Sequence, residues 1–198
     1  MKNGKMKIMA FVVSWVLFLS IIVQLPVSGI IYASKQKPND YSMLSKKDIT
    51  SFKKAEKFIF VKNGVVKFDI KKAKKKKLDR KNLNIGKTIN KISETMELYK
   101  KYSNGSLSKK NEMRRGMKVW GRYCGPGHSG PGKPKDLLDS LCKKHDKCYS
   151  KKGYFACSCD RALMKSILTN LKRMKGKQRK VAVAIYLYFK FAPCNPFR

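Results

Sequence analysis

The hydrophobic positions of this chain fall into blocks with different periods. Residues 8–25 form an 18-residue run without a charged side chain, and the seven residues before it carry three lysines. A basic segment ahead of an apolar one is the pattern of a secretory signal. Cleavage is expected after Gly29 or Ala33, each a small residue. An uncleaved anchor is the competing reading, because 18 residues approach the lower limit for a membrane span. Residues 34–50 are polar and turn-rich, as in a poorly ordered mature N-terminus. In residues 57–70, apolar and polar positions flank Asn63-Gly64, a strong hairpin signal. The period then changes. Ile85, Ile89, Ile92, Met96 and Tyr99 predict a helix over 84–102, with Asn104-Gly105 as its stop. Its apolar face either packs on the rest of the chain or lies on a membrane, and packing is the expectation.

A second helix is predicted over 135–150, with Leu137, Leu138, Leu141, Cys142, Cys148 and Tyr149 at helical intervals, and a third over 155–174, carrying Asp160, Leu163, Met164, Ile167, Leu171 and Met174. A tight connection through Gly153 makes these two antiparallel. Residues 181–191 are nearly all apolar; a helix ended by Pro193 is the reading, with a strand as the other assignment. Gly125 to Gly132 holds four glycines and two prolines, which makes it a loop. The predicted fold is mainly α: two antiparallel disulfide-linked helices with a glycine-rich loop, plus a small N-terminal hairpin-and-helix region. Three segments follow: 1–33 as signal peptide or anchor, 34–110 as a basic accessory region or propeptide, and 111–198 as the part that carries chemistry.

Composition sharpens this picture in two ways. All six cysteines lie between residues 124 and 194, and an exported domain of this size buries too little apolar surface to be secure without cross-links. Three disulfides are therefore expected, among 15 possible pairings; paired CxxC arms of a zinc site are absent. The net charge is +35, and residues 71–77 alone contain six lysines, read as an exposed basic segment. Such a field favours anionic phospholipid surfaces, anionic cell-wall polymers or nucleic acid. The first two are the more accessible to an exported protein, and no nucleic-acid recognition motif accompanies the charge.

The chemistry gathers around Cys142-Lys-Lys-His-Asp-Lys-Cys-Tyr149. On a helix, Cys142 and His145 share a face, while His145 and Asp146 point about 100° apart. One turn thus presents a general base and a hard oxygen ligand side by side. Upstream lies Tyr123-Cys-Gly-Pro-Gly127, where Gly125 and Gly127 let backbone carbonyls converge on a cation. Downstream lies Cys157-Ser-Cys-Asp160. No GxSxG elbow is present, so water is the attacker, His145 its base, and Asp160 the carboxylate that orients the imidazole. His128, among glycines, reads as exposed and not as a ligand.

The three motifs in this order and spacing resemble the secreted, calcium-dependent phospholipase A2 family, over roughly residues 112–198. The resemblance implies calcium held by the backbone carbonyls of Tyr123, Gly125 and Gly127 and by Asp146. It implies Tyr149 as the tyrosine supporting the catalytic carboxylate, and Tyr186 or Tyr188 as a second. It narrows the disulfides to Cys124–Cys142, Cys148–Cys159 and Cys157–Cys194. Leu141 stands where vertebrate and venom members have another cysteine, and the stretch from His145 to Asp160 is short. The pattern is closer to insect-type, prokaryotic and parvoviral members. The implied activity is hydrolysis of the sn-2 ester of phosphoglycerides by a secreted monomer at an anionic phospholipid surface. A non-catalytic membrane-binding or membrane-disrupting protein on the same scaffold is the alternative, and nucleic-acid binding by the lysine-rich half the third.

Overall fold

The computed structural model describes residues 41–103 and 117–197. The predicted signal or anchor, the Asn104-Gly105 stop and residues 104–116 lie outside the described residues. Within them the elements run α1 (Lys46–Glu56), β1 (Ile59–Lys62), β2 (Val65–Phe68), α2 (Ile70–Lys75), α3 (Arg80–Ser103), α4 (Leu137–Lys152), α5 (Cys157–Asn170), a 3-10 turn (Leu171–Arg173) and α6 (Gly176–Phe191). The fold is mainly helical with one small antiparallel hairpin.

Helix α1 corrects the reading of 34–50 as poorly ordered over its described part, residues 41–50. Ser45 accepts a hydrogen bond from the Asp48 N–H at 3.2 Å and caps the helix, and Tyr41, Leu44, Phe52 and Ala55 are buried. The hairpin is as predicted. Asn63 and Gly64 take φ of 51° and 71°, the left-handed pair that a two-residue turn needs, and they set Ile59 opposite Phe68 and Lys62 opposite Val65. Residues 70–75 form the short helix α2 where only an exposed basic segment was expected. The Asp69 side chain caps it at Lys72 N, 2.8 Å away, and Ala73 is fully buried while its lysines stay exposed. One small apolar residue on the inner face, with a cap, offsets lysine repulsion directed into solvent.

Helix α3 is the long helix foreseen from its isoleucines, and Ile85, Ile89 and Ile92 are buried. The hairpin lies on it. A Cβ at Gly86 would sit 2.4 Å from Phe68 Cδ1, so glycine here admits the Phe68 ring against the helix. Asn90 brackets the Phe68 backbone, accepting from its N–H at 2.7 Å and donating to its carbonyl at 3.0 Å. Helix α6 is buried from Ala182 to Tyr188; a helix apolar all round belongs inside. It packs against α1, α3 and α5. Side chains from 41–103 and from 117–197 contribute to one hydrophobic cluster, so the core runs across the two stretches.

Candidate active site

Helix α4 begins at Asp136, whose side chain accepts from the Asp139 N–H at 3.0 Å. Asp139 is completely buried. Its carboxylate accepts from the backbone N–H groups of Arg122, Tyr123 and Lys135 at 2.7–2.9 Å. The glycine loop is thereby sewn to the first turn of the helix. Gly121, at φ 57°, leaves room for this carboxylate, since a Cβ there would lie 2.2 Å from Asp139 Cγ. Three residues on, Cys142 is bonded to Cys124 of the loop, a second tie between the same two elements.

One helical turn further, His145 is buried, and its Nε2 lies 2.9 Å from Asp160 Oδ1 on α5. The Cys148–Cys159 bond, three residues nearer the connecting turn than His145 on α4 and one nearer than Asp160 on α5, holds the antiparallel pair in this register. Cys157–Cys194 ties the start of α5 to the C-terminal segment, so all three disulfides are those the resemblance implied. Tyr149 donates a short hydrogen bond to the same Asp160 oxygen. Burial, and then the adjacent Asp160 charge, pushes its phenol well above the usual tyrosine range. With Nε2–H donated to a carboxylate, Nδ1 of His145 keeps its lone pair as the basic atom. The ring is fixed between Tyr149, 4.1 Å away by centroids, and the edge of Phe189 at 5.1 Å.

His145 and Asp146 line a cavity of about 70 Å³ together with Tyr123, Gly125, Gly127 and Tyr149. All but one of the singled-out site residues thus reach one space, and Asp160 stands behind His145. Tyr188 also lines it, whereas Tyr186 is fully buried among Tyr41 and Phe52. That separates the two candidates for a second tyrosine. Burial and the nearby Asp160 charge raise the Tyr188 phenol as well. His128 is half-buried, its Nε2 3.4 Å from Gly121 O, and it is not part of the lining.

Several contributors escaped the sequence reading. Asp139 is an acid placed on the apolar face of a predicted helix, three residues before Cys142, and that misplacement is the signal that would have found it. Ser129 donates to Asp146 Oδ2 at 2.7 Å. Ile92 and Met96 of α3 form part of the cavity wall, and the Tyr99 ring lies where a Cβ on Gly127 would come within 2.8 Å. These come from a stretch in which no catalytic constellation was legible, and they meet the site only through folding.

Among the described residues no three His, Cys, Asp or Glu side chains group as a metal site. A site of three backbone carbonyls and one carboxylate is not of that kind. Burial lifts the Asp146 carboxyl to about 6, opposed by the Ser129 hydrogen bond and by His145 and His128. No Lys or Arg pairs with it among the described residues. A half-buried carboxylate that no Lys or Arg pairs among the described residues, beside a glycine loop, suits a divalent cation of the calcium type. Gly125 lets the backbone of residues 117–119 pack close against the loop: at φ 146°, a Cβ would fall 1.9 Å from Met117 O.

Comparison with known proteins points the same way over part of the chain. Phospholipase A2-beta of Arabidopsis thaliana is 40% identical over 63 residues, 31% of this chain and 43% of that protein. The acidic phospholipase A2 homolog taipoxin gamma chain of Oxyuranus scutellatus scutellatus is 56% identical over 34 residues, 17% of this chain and 21% of its own. Probable phospholipase A2 homolog 1 of Oryza sativa subsp. japonica is 45% identical over 42 residues, 20% of this chain and 30% of its own. The chain thus spans less than half the length of each of these relatives. No family model matches the chain, and no solved structure does.

Proposed function

We propose that the chain is a calcium-dependent phospholipase A2 of the insect-type and prokaryotic-like kind. It is exported, acts as a monomer, and hydrolyses the sn-2 ester of phosphoglycerides at an anionic membrane surface. The observation that carries this reading is the buried His145–Asp160 hydrogen bond of 2.9 Å, beside a cavity that also collects Asp146 and the glycine loop. Partial similarity to proteins named phospholipase A2 supports it.

Nδ1 of His145 takes a proton from water as that water attacks the ester carbonyl. The Nε2–H to Asp160 steadies the imidazolium so formed, and Tyr149 keeps Asp160 oriented. His145 then returns the proton to the departing glycerol oxygen, which restores the neutral ring and releases fatty acid and lysophospholipid. The carbonyls of Tyr123, Gly125 and Gly127 and the Asp146 carboxylate are the groups that hold calcium. When bound, calcium supplies positive charge to the substrate phosphate and to the ester oxygen as it gains negative charge, an effect of several kcal/mol. Ile92, Met96, Leu163 and Phe189 give the acyl chain an apolar wall and keep bulk water from the base.

Three disulfides support an oxidising compartment, and the leader in 1–33 is read as the export signal. The test is fatty-acid release from phosphatidylglycerol vesicles. Chelator is expected to stop it, and His145→Ala to lower it by about 10²–10⁴-fold. Release that ignores chelator, or that survives His145→Ala, contradicts the reading.

A further inference from the structure

We propose that the concavity between the C-terminal ends of α1 and α2 is a binding site for a multiply phosphorylated anion. Five lysines line it: Lys54 and Lys57 from α1 and its cap, and Lys72, Lys76 and Lys77 from α2 and the turn that ends it. Phe58 and Leu78 supply the apolar floor, and the space measures about 590 Å³. It shares no lining residue with the His145 cavity. The proposal therefore stands whether or not the chain hydrolyses lipid.

The charge around this concavity is only partly compensated, by Asp79, which lines it and feels the Lys54 charge. Residues 41–79 hold thirteen lysines and four carboxylates, and each carboxylate has a partner of its own. Asp48 meets Arg179 at 2.7 Å and Glu56 meets Lys190 at 2.6 Å, both on α6. Asp69 caps α2. Asp79, at the rim, turns one oxygen to Asn82 N and the other to Asn82 Nδ2, at 3.0 and 2.7 Å. Among the described residues none of the five lysines enters an ion pair, and all five are exposed. Three of the acids serve as caps and latches outside the lining, which leaves five amines sharing one hollow with a single carboxylate.

Backbone geometry adds a second observation. Lys77 sits at φ 53°, in the turn closed by Leu78 N to Ala73 O at 2.9 Å. That is the post-helical position where glycine is usual, and a lysine there is held in a strained backbone conformation. The chain accepts both this strain and the mutual repulsion of five ammonium groups, and an amine at the lip is what it obtains. The lining is lysine without arginine. Compact ammonium charges with rotatable donors suit tetrahedral phosphates, whereas planar carboxylates favour the guanidinium fork. A single monoanion would leave most of the charge unmet; several phosphates on one small framework would not. A lipid headgroup and a free polyphosphate offer the same chemistry.

The experiment is calorimetric titration of the full oxidised protein with inositol hexakisphosphate at physiological salt. It is paired with sedimentation of the protein with phosphatidylcholine vesicles, with or without a bis-phosphorylated phosphatidylinositol. The site variant is K72Q/K76Q/K77G, in which glycine relieves the strained turn, and K54Q/K57Q tests the opposite wall. K46Q/K47Q/K62Q removes the same charge as the first from positions outside the lining. Wild type and K46Q/K47Q/K62Q are expected to bind, and both site variants to bind about tenfold or more weakly, since several phosphate contacts are lost. Binding of the free ligand alone assigns a soluble polyphosphate, and binding of doped vesicles alone a headgroup; either supports the site. No binding of either by wild type, or an equal loss in K46Q/K47Q/K62Q, overturns it, the latter by showing that net charge suffices.

Discussion

Asp139 is the residue on which the site's architecture turns, because one buried carboxylate satisfies three loop N–H groups. Asp139→Ala is expected to destabilise the fold by about 3–5 kcal/mol in chemical denaturation, through buried donors left unpaired. At Asp146 the sign of the pH dependence is set by its raised carboxyl, near 6 in the fold against about 3.9 when unfolded. Burial favours the protonated form. Without calcium, the stabilisation this group contributes is complete below the unfolded value and is lost as pH rises through about 6. Calcium held as proposed would oppose this by binding the ionised form. Melting curves at pH 5 and pH 7 should therefore separate most in chelator and converge in calcium, and a separation identical in both would remove Asp146 from the ion site. His145, Asp146 and Asp160 were legible as single residues because their chemistry is carried by local motifs. Asp139 was not, since its partners lie in a loop sixteen and seventeen residues away.

Between elements, the contacts that matter are small and particular. The Phe68 ring occupies the space a Cβ on Gly86 would need, so Gly86→Ala is expected to cost about 1–3 kcal/mol by overpacking. Phe68→Leu should recover part of that loss in a double-mutant cycle; additivity would mean the two do not meet. On the other side, Lys190 donates to Glu56 at 2.6 Å and to Tyr41 at 2.8 Å, and Arg179 reaches Asp48 at 2.7 Å. These latch α1 to α6, the helix that carries Tyr188 and Phe189 to the cavity. Removing one partner of the half-buried Lys190 pair, as in Lys190→Ala, should lower stability by about 1–3 kcal/mol. Helix periods were readable for α3 to α6, where apolar stripes are long, and the Asn63-Gly64 turn identified the hairpin. Helices α1 and α2 were not readable. Their inner faces hold only a few apolar residues, Phe52 and Ala55 in one and Ala73 in the other, and lysine-rich surroundings masked them.

For the molecule as a whole, the consequence is that residues 41–103 complete the body on which the site is built. Ile85, Ile89 and Ile92 are buried in the cluster shared with α5 and α6, and Ile92 and Met96 wall the cavity. The stripe announced that this helix would pack on the rest of the chain, but not that Ile92 and Met96 would wall the cavity, because nothing in a periodic stripe names its partner. Expression of residues 111–198 alone should therefore yield a chain without cooperative unfolding, whereas the chain from residue 34 onward should melt cooperatively; a stable isolated fragment would argue that the N-terminal half is dispensable. The proposed hydrolysis breaks one bond, the sn-2 ester. The decisive substrate is phosphatidylglycerol bearing different acyl chains at its two positions, with mass spectrometry of the fatty acid released. A phospholipase A2 releases the sn-2 chain alone, in calcium and not in chelator; release of the sn-1 chain, of both, or of neither in the presence of calcium would contradict the proposed function.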